Sequence, residues 1–315
     1  FAVLNNALRG AVDVYSSDTK DLLLRRSIPG TSGFSSIWTN IGEVHNEGVE
    51  VSLNSTNIKR GDFTWESGFV FDLNRNSIVH LLGADNDEDG IEDDDIANRW
   101  FIGEPLGVYY GYDIDGIHQT GEEMPAGYQP GDFRIVDYDG NGELSPDDRH
   151  ILGYSIPNYQ FSISNTLTYK NFSLYVMINS IQGGGKKNYY MGNNLAMHNP
   201  NNPFSSWSER FSFAAMDYWT PDNPSNTAAR INYDAPRGHS YLEDRSFVRI
   251  QDVNLSYDFS TSMLQKLKIE GLRFYVSGKN LYTFTKWTGY DPENRTTIGN
   301  FPMLRTVSFG VDLKF

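Results

Sequence analysis

The stretch YQFSISNTLTY, Tyr159 to Tyr169, decides the fold. Its odd positions are Tyr159, Phe161, Ile163, Leu167 and Tyr169, with Asn165 the exception; its even positions are Gln160, Ser162, Ser164, Thr166 and Thr168. A two-residue period of this kind is a β-strand with one apolar and one wet face.

The same period recurs outward along the chain. Phe63, Trp65, Phe69, Phe71 and Leu73 alternate with Thr64, Glu66, Asp72 and Asn74. Phe172, Leu174, Val176 and Ile178 repeat it, as do Val307, Phe309, Val311, Leu313 and Phe315. Between Phe247 and Phe259 the apolar parity changes, from Val248 and Ile250 to Val253, Leu255 and Tyr257, which predicts a bulge near Gln251. About nine strands are expected, starting near Gly10, Lys20, Gly48, Asp62, Asn158, Phe172, Ser246, Gly271 and Met303. Helical periodicity is scarce, with one short helix expected within Ser205 to Asp217.

The connections alternate in length. Short ones are expected at Ser16–Thr19, Asn57–Asp62, Tyr169–Phe172 and Phe259–Gly271; long ones at Ile28–Asn46, Ser77–Pro157, Gly183–Arg245 and Thr285–Pro302. A soluble sandwich has no reason for such alternation, whereas an outer-membrane barrel has short periplasmic turns and long extracellular loops. The expected fold class is all-β: an antiparallel transmembrane β-barrel with long extracellular loops, its last strand running toward the periplasm. An odd set of nine strands does not close. At this spacing a 22-stranded barrel needs on the order of 770 residues. The 315 residues are therefore expected to be the C-terminal part of a larger barrel.

Composition narrows the function. The net charge of −14 argues against a nucleic-acid partner, and the lack of cysteine excludes disulfides, thiolate metal sites and cysteine nucleophiles. No apolar run approaches the roughly 20 residues of a membrane helix. The opening FAVLNNALRG does not read as a signal peptide. The segment Ser77–Pro157 holds 19 acidic residues against 3 basic ones; elsewhere the balance is 21 against 23. The acidity thus belongs to one loop. No GxSxG, HExxH or P-loop is present, so an enzyme is not expected.

Within the acidic loop, DYDGNGELSPDD spans Asp137 to Asp148. It fits an EF-hand-like calcium loop: Asp137, Asp139 and Asn141 at positions one, three and five, Gly142 at the sharp turn, a Glu143 carbonyl at seven and Asp148 at twelve. Asp148 stands where the standard loop has a bidentate Glu, and the flanks read as loop and strand, so Ca2+ here would be a structural clip. The bland alternative is an acidic turn held by Asx hydrogen bonds. A weaker second candidate is Asp85, Asp87, Asp89 and Asp93, where position twelve is Ile96 and a solvated acidic loop is the stronger alternative.

The loop spanning Gly183–Arg245 is rich in aromatics, including Tyr189 and Tyr190. Trp207, Tyr218 and Trp219 are its candidate substrate contacts, because aromatic faces stack on sugar rings; packing within the loop, or against a partner, is the competing role. Tyr169, Phe172, Phe259 and Tyr282 lie near strand ends and are expected in the interfacial belt.

Several blocks resemble SusC/RagA-type TonB-dependent outer-membrane transporters. They are NEGVEVSLNSTNI (Asn46–Ile58), GEPLGVYYGYDIDGIHQ (Gly103–Gln119), the run from Pro130 to Leu174, YWTPDNPSNTAARI (Tyr218–Ile231), RSFVRIQDVNLSYDF (Arg245–Phe259) and NLYTFTKWTGYDPE (Asn280–Glu293). The terminal FGVDLKF, with its last Phe, resembles an outer-membrane assembly signal. The resemblance implies a 22-stranded barrel with an internal plug, a SusD-like surface lipoprotein as lid, and TonB-powered uptake of oligosaccharides or peptides in the outer membrane of a Gram-negative bacterium. The alternative of another class is a calcium-stabilised surface adhesin or lectin that binds glycan without importing it.

Overall fold

The computed structural model describes residues 1–28, 30–40, 42–81, 83, 85, 88–187, 217–230, 233, 242–260, 264, 269–288, 291–293 and 303–315. In chain order the strands are β1 (Ala2–Val3), β2 (Leu8–Lys20), β3 (Leu23–Ser27), β4 (Ser36–Asn40), β5 (Glu43–Arg60), β6 (Phe63–His80), β7 (Val108–Gly111), β8 (Ile114–Ile117), β9 (Phe133–Ile135), β10 (His150–Tyr154), β11 (Tyr159–Tyr169), β12 (Phe172–Gln182), β13 (Gly185–Lys187), β14 (Leu242–Asp244), β15 (Phe247–Asp258), β16 (Gly271–Thr285) and β17 (Thr306–Lys314). Nine form one antiparallel sheet in the order β1-β2-β5-β6-β11-β12-β15-β16-β17, so each strand pairs with the next wall strand in the chain. The other eight make four small hairpin-like pairs within the long connections.

Cross-strand register joins the apolar positions into one continuous face. Val51, Phe71 and Phe161 share a row, as do Leu53, Phe69, Ile163, Ile178, Ile250 and Tyr282. Gln160, Ser162, Ser164, Asn254 and Ser277 face the other way, on the polar side. At the short-turn end, Phe63, Tyr169, Phe172, Tyr257 and Phe274 form an aromatic row across five strands. Its rings touch: Phe172 and Tyr257 lie 4.7 Å apart, Phe259 meets Tyr257 at 5.0 Å and Phe274 at 5.1 Å. Tyr282 packs on Phe284 at 4.6 Å toward the opposite end. Two aromatic girdles bounding an apolar band are what membrane interfaces demand of a barrel wall. Val14 is 75% exposed and Phe309 78%, so among the described residues this face is left uncovered.

The bulge near Gln251 is present: Ile250 pairs with Ile178 and Asp252 with Met177, leaving Gln251 over. On the other side the register steps from Tyr282 to Lys279, and Asn280, with φ +52°, takes the slack. The Gln251 amide donates to the Asn280 side-chain oxygen at 2.9 Å.

One boundary is corrected. Ser16–Thr19 is not a turn; it continues β2 and pairs with Val44–Glu47. The short turn is Leu4–Ala7, where Leu4, Asn5 and Asn6 all take positive φ. The strand expected to begin near Lys20 is β3, which pairs with β4 inside the first long connection. Turn-forming residues misled because β2 ends in water above the apolar band, where polar side chains are cheap: Asp18 there bonds His45 Nδ1 at 2.6 Å. Moving the turn preserves the alternation of short and long connections. The helix expected within Ser205 to Asp217 lies outside the described residues, apart from Asp217.

Candidate functional site

Of the two buried clusters, one lies wholly in the long connections and the other sits where the ends of β5 and β6 meet the connection that follows. One cluster comprises Ile117, Phe133, Trp219, Ala229 and Tyr233, and another Val44, Ile78 and Leu81. The first joins two separate connections, 81–158 and 183–246. Trp219 Nε1 donates to Gln119 Oε1 at 2.8 Å, the Ile117 amide to Asn226 Oδ1 at 2.9 Å, and Arg230 Nε to the buried Asp132 carboxylate at 2.6 Å. Gly131, at φ +92°, allows the approach: a Cβ there would collide with the Trp219 ring. The described residues of these two connections therefore pack together at the long-connection end of the wall.

The acidic residues of this body serve mainly as acceptors for backbone amides. Glu92 takes the amides of Leu81 and Gly83 and contacts His80 Nδ1 at 2.7 Å. Asp94 takes Ile102, and Asp95 takes Asn98. Asp85 accepts from Asp89 and Gly90 at 3.1 Å each, so two members of the weaker candidate already hold their own turn. Asp87 lies outside the described residues, and no carboxylate group containing Asp85, Asp89 and Asp93 converges among the described residues.

Asp137–Asp148 is different. Asp137, Asp139 and Asp148 each place a carboxylate oxygen within 4.8 Å of the others. Asp137 takes the amides of Gly140 and Gly142 at 2.8 and 2.7 Å, and Gly142, at φ +85°, makes the sharp turn. Asp148 closes the loop. It is fully buried and accepts from the Ser145 and Tyr138 amides at 2.7 Å each. Those bonds, the Ser145 one first, hold its carboxyl below the usual carboxylate range despite burial. Asn141 lies in the same turn: its amide donates to Asp139 and its oxygen accepts from Glu143 N. The Glu143 side chain points to solvent. Three hard, anionic oxygens around one turn suit a divalent cation such as Ca2+.

Of the aromatic candidates, Trp207, Tyr189 and Tyr190 lie outside the described residues, and Tyr218 is half-buried. Trp219 is 6% exposed within the inter-loop core, with its N–H spent on Gln119. Its assignment as a substrate contact is corrected to a packing role, because its ring has no open face for a sugar.

One constellation was not visible as a site in the sequence. Arg249, 1% exposed on the polar face of β15, donates through Nε to Thr283 Oγ1 at 2.9 Å, through one terminal nitrogen to Asp291 at 3.1 Å and through the other to Glu293. Its guanidinium also lies 4.7 Å from the Phe247 ring centroid. The signal available was a lone Arg on the wet side of an alternating strand, with a paired Asp and Glu in YDPE.

The profile of the family described as "TonB dependent receptor-like, beta-barrel" matches residues 2–281. TonB-dependent receptor P3 of Formosa agariphila is 34% identical across all of this chain and 33% of its own length. TonB-dependent receptor SusC of Bacteroides thetaiotaomicron is 27% identical across all of this chain and 31% of its own. The solved structure of the RagAB peptide transporter superposes with TM-score 0.73 at 24% identity, covering 100% of this chain and 34% of that one. The chain thus spans about a third of the length of these relatives. With nine paired strands, an apolar face between aromatic girdles and this profile match, the chain belongs to the TonB-dependent receptor family and forms part of its β-barrel wall.

Proposed function

We propose that this chain is part of the barrel of a SusC/RagA-like importer in the outer membrane of a Gram-negative bacterium. It takes up oligosaccharides or peptides, is driven through TonB, and is closed from outside by a SusD-like surface lipoprotein. The remainder of the barrel and the plug complete it, with lipid against the apolar face. The supporting observation is the combination of a two-faced wall with long connections at one end only, in a chain similar along its whole length to SusC. The packed loop body joining 81–158 to 183–246 lies at the end where a lipoprotein lid would dock. In this reading the chain is a receptor and not an enzyme. The test is deletion of the gene, and separately of a neighbouring lipoprotein gene, followed by growth on defined oligosaccharides and on peptides. Loss on one class alone identifies the cargo; unchanged growth on both overturns the import reading.

The loop Asp137–Asp148 is read as a structural Ca2+ clip, with Asp137, Asp139 and Asp148 as carboxylate ligands and Asn141 and the Glu143 carbonyl able to turn inward. A divalent ion offsets the mutual repulsion of the acidic loop and reduces its entropy. The binding-only alternative, a calcium-stabilised glycan adhesin, shares this clip but gives no reason for a barrel wall.

A further inference from the structure

β17 pairs with β16 only as far as Lys279 opposite Thr306, so among the described residues Asn280–Thr285 of β16 have no strand partner on that side. An open strand edge at a barrel rim needs cover. The described residues at the two legs of the 286–305 connection, 286–288 with 291–293 and 303–305, are tied to the wall beside it. On the outgoing leg, Asp291 and Glu293 meet Arg249. On the returning leg, the Met303 amide donates to Asp291 Oδ2 at 2.8 Å and Asn280 Nδ2 donates to the Leu304 carbonyl at 3.0 Å. Asp291 is the joint between the legs, giving Oδ1 to Arg249 and Oδ2 to Met303 N, and it is 3% exposed. Thr288 extends the tie sideways, bonding Glu243 of β14 at 2.7 Å.

This clamp sits on the polar face, at the end where the long connections emerge. In a closed barrel that face lines the lumen. Arg249, Asn280, Asp291, Met303 and Arg305 border a cavity there. Among the described lining residues, Arg249 is the cation buried in the wall and matched by carboxylates of the connection. Removing it takes away the guanidinium that Asp291 and Glu293 both bond, and Asp291 in turn holds the Met303 amide, so the two stems are expected to loosen together.

We propose that Arg249 is the positioning residue that fixes both stems of the 286–305 connection against the inner wall of the barrel mouth, and that admission of solute depends on this fixed arrangement. The proposal rests on the import reading. The experiment uses the full-length transporter in its own membrane with its partners, as wild type, Arg249→Ala, Arg249→Lys and the milder Glu293→Gln. Heat-modifiable mobility reports the folded barrel, hydrogen exchange of the Met303–Arg305 amides reports the clamp, and the concentration dependence of uptake reports admission. For Arg249→Ala the expected result is an intact barrel, exchange about 10-fold faster at Met303–Arg305 and unchanged elsewhere in the wall. The half-saturating concentration should rise roughly fivefold with maximal rate nearly unchanged. Arg249→Lys should fall between the two, because a single ammonium replaces a fork with fewer matched bonds. If Arg249→Ala fails to reach the membrane, Glu293→Gln is read in the same way. Unchanged exchange overturns the clamp; faster exchange with unchanged half-saturation overturns its role in admission. A wild-type protein that imports nothing overturns the import reading, and the exchange measurement still decides whether the clamp exists.

Discussion

The indole N–H of Trp65 on β6 donates to the side-chain oxygen of Asn165 on β11 at 2.9 Å, and the same oxygen accepts from Ser67 Oγ at 2.7 Å. Asn165 interrupts the apolar face between Ile163 and Leu167. β6 and β11 are joined through the long connection 81–158, so no tight turn sets their register. A slip of two residues would keep every side chain on its own face and would go unpunished by hydrophobicity alone. It would, however, part Asn165 from both donors. Asn165→Leu is expected to cost about 1 kcal/mol in urea unfolding and to permit slipped pairing. A disulfide between cysteines placed at Val70 and Ser162, which pair across the seam, reads this directly. Quantitative cross-linking in the leucine variant, equal to that in the parent, would sink the idea.

The faces of the wall predict opposite responses to the same substitution. Leu255→Arg places a charge in the apolar band and is expected to cost about 2–4 kcal/mol. Asn254→Arg, one residue away on the polar face, should cost far less. Unfolding in lipid vesicles would compare them, and similar losses would mean that the faces are misassigned.

Trp219 holds two connections together. Trp219→Ala is expected to destabilise the loop body by about 3–5 kcal/mol, seen as faster proteolysis within 113–136 and 217–230 with the barrel still heat-modifiable. Trp219→Phe should retain most of the packing and lose the bond to Gln119. Substrate affinity that drops equally in both variants while the loops stay protected would restore a direct ligand role.

Asp148 sets the pH response of its loop. Its carboxyl lies below the usual range because the Ser145, Tyr138 and Asp139 amides favour the charged form. Its stabilisation is therefore complete above the unfolded pKa of about 3.9 and is lost as pH falls through the lower folded value. Pepsin cleavage within 137–148 should stay slow through mildly acid pH and accelerate only below that range. Acceleration near neutrality would contradict the assignment.

The calcium clip predicts a titration. Calorimetry on the full-length protein should show Ca2+ binding that Asp137→Asn or Asp139→Asn weakens by at least tenfold, while Asp89→Asn leaves it unchanged. Chelation should speed cleavage at the loop. Equal binding by the parent and the Asp137→Asn protein would remove the site from this loop.

Sequence alone determined the wall. Alternation with period two reports which solvent each side chain meets, and lipid and water differ so sharply that the pattern survives in Tyr159–Tyr169 and Val307–Phe315 without knowledge of any partner strand. The parity change at Gln251 and the family blocks were legible for the same local reason. The Asp137–Asp148 turn was also legible, because its ligand candidates lie within twelve residues of one another. Ser16–Thr19 was misread because polar strand residues above the membrane share their composition with turns. Tertiary structure decided what distant segments do together: that Trp219 packs against Ile117 and Phe133, that Arg249 meets Asp291 and Glu293, and that Asn165 fixes a seam. Those contacts join residues some 40 to 100 positions apart. No periodicity along the chain encodes them, because they depend on how the long connections fold back across the wall.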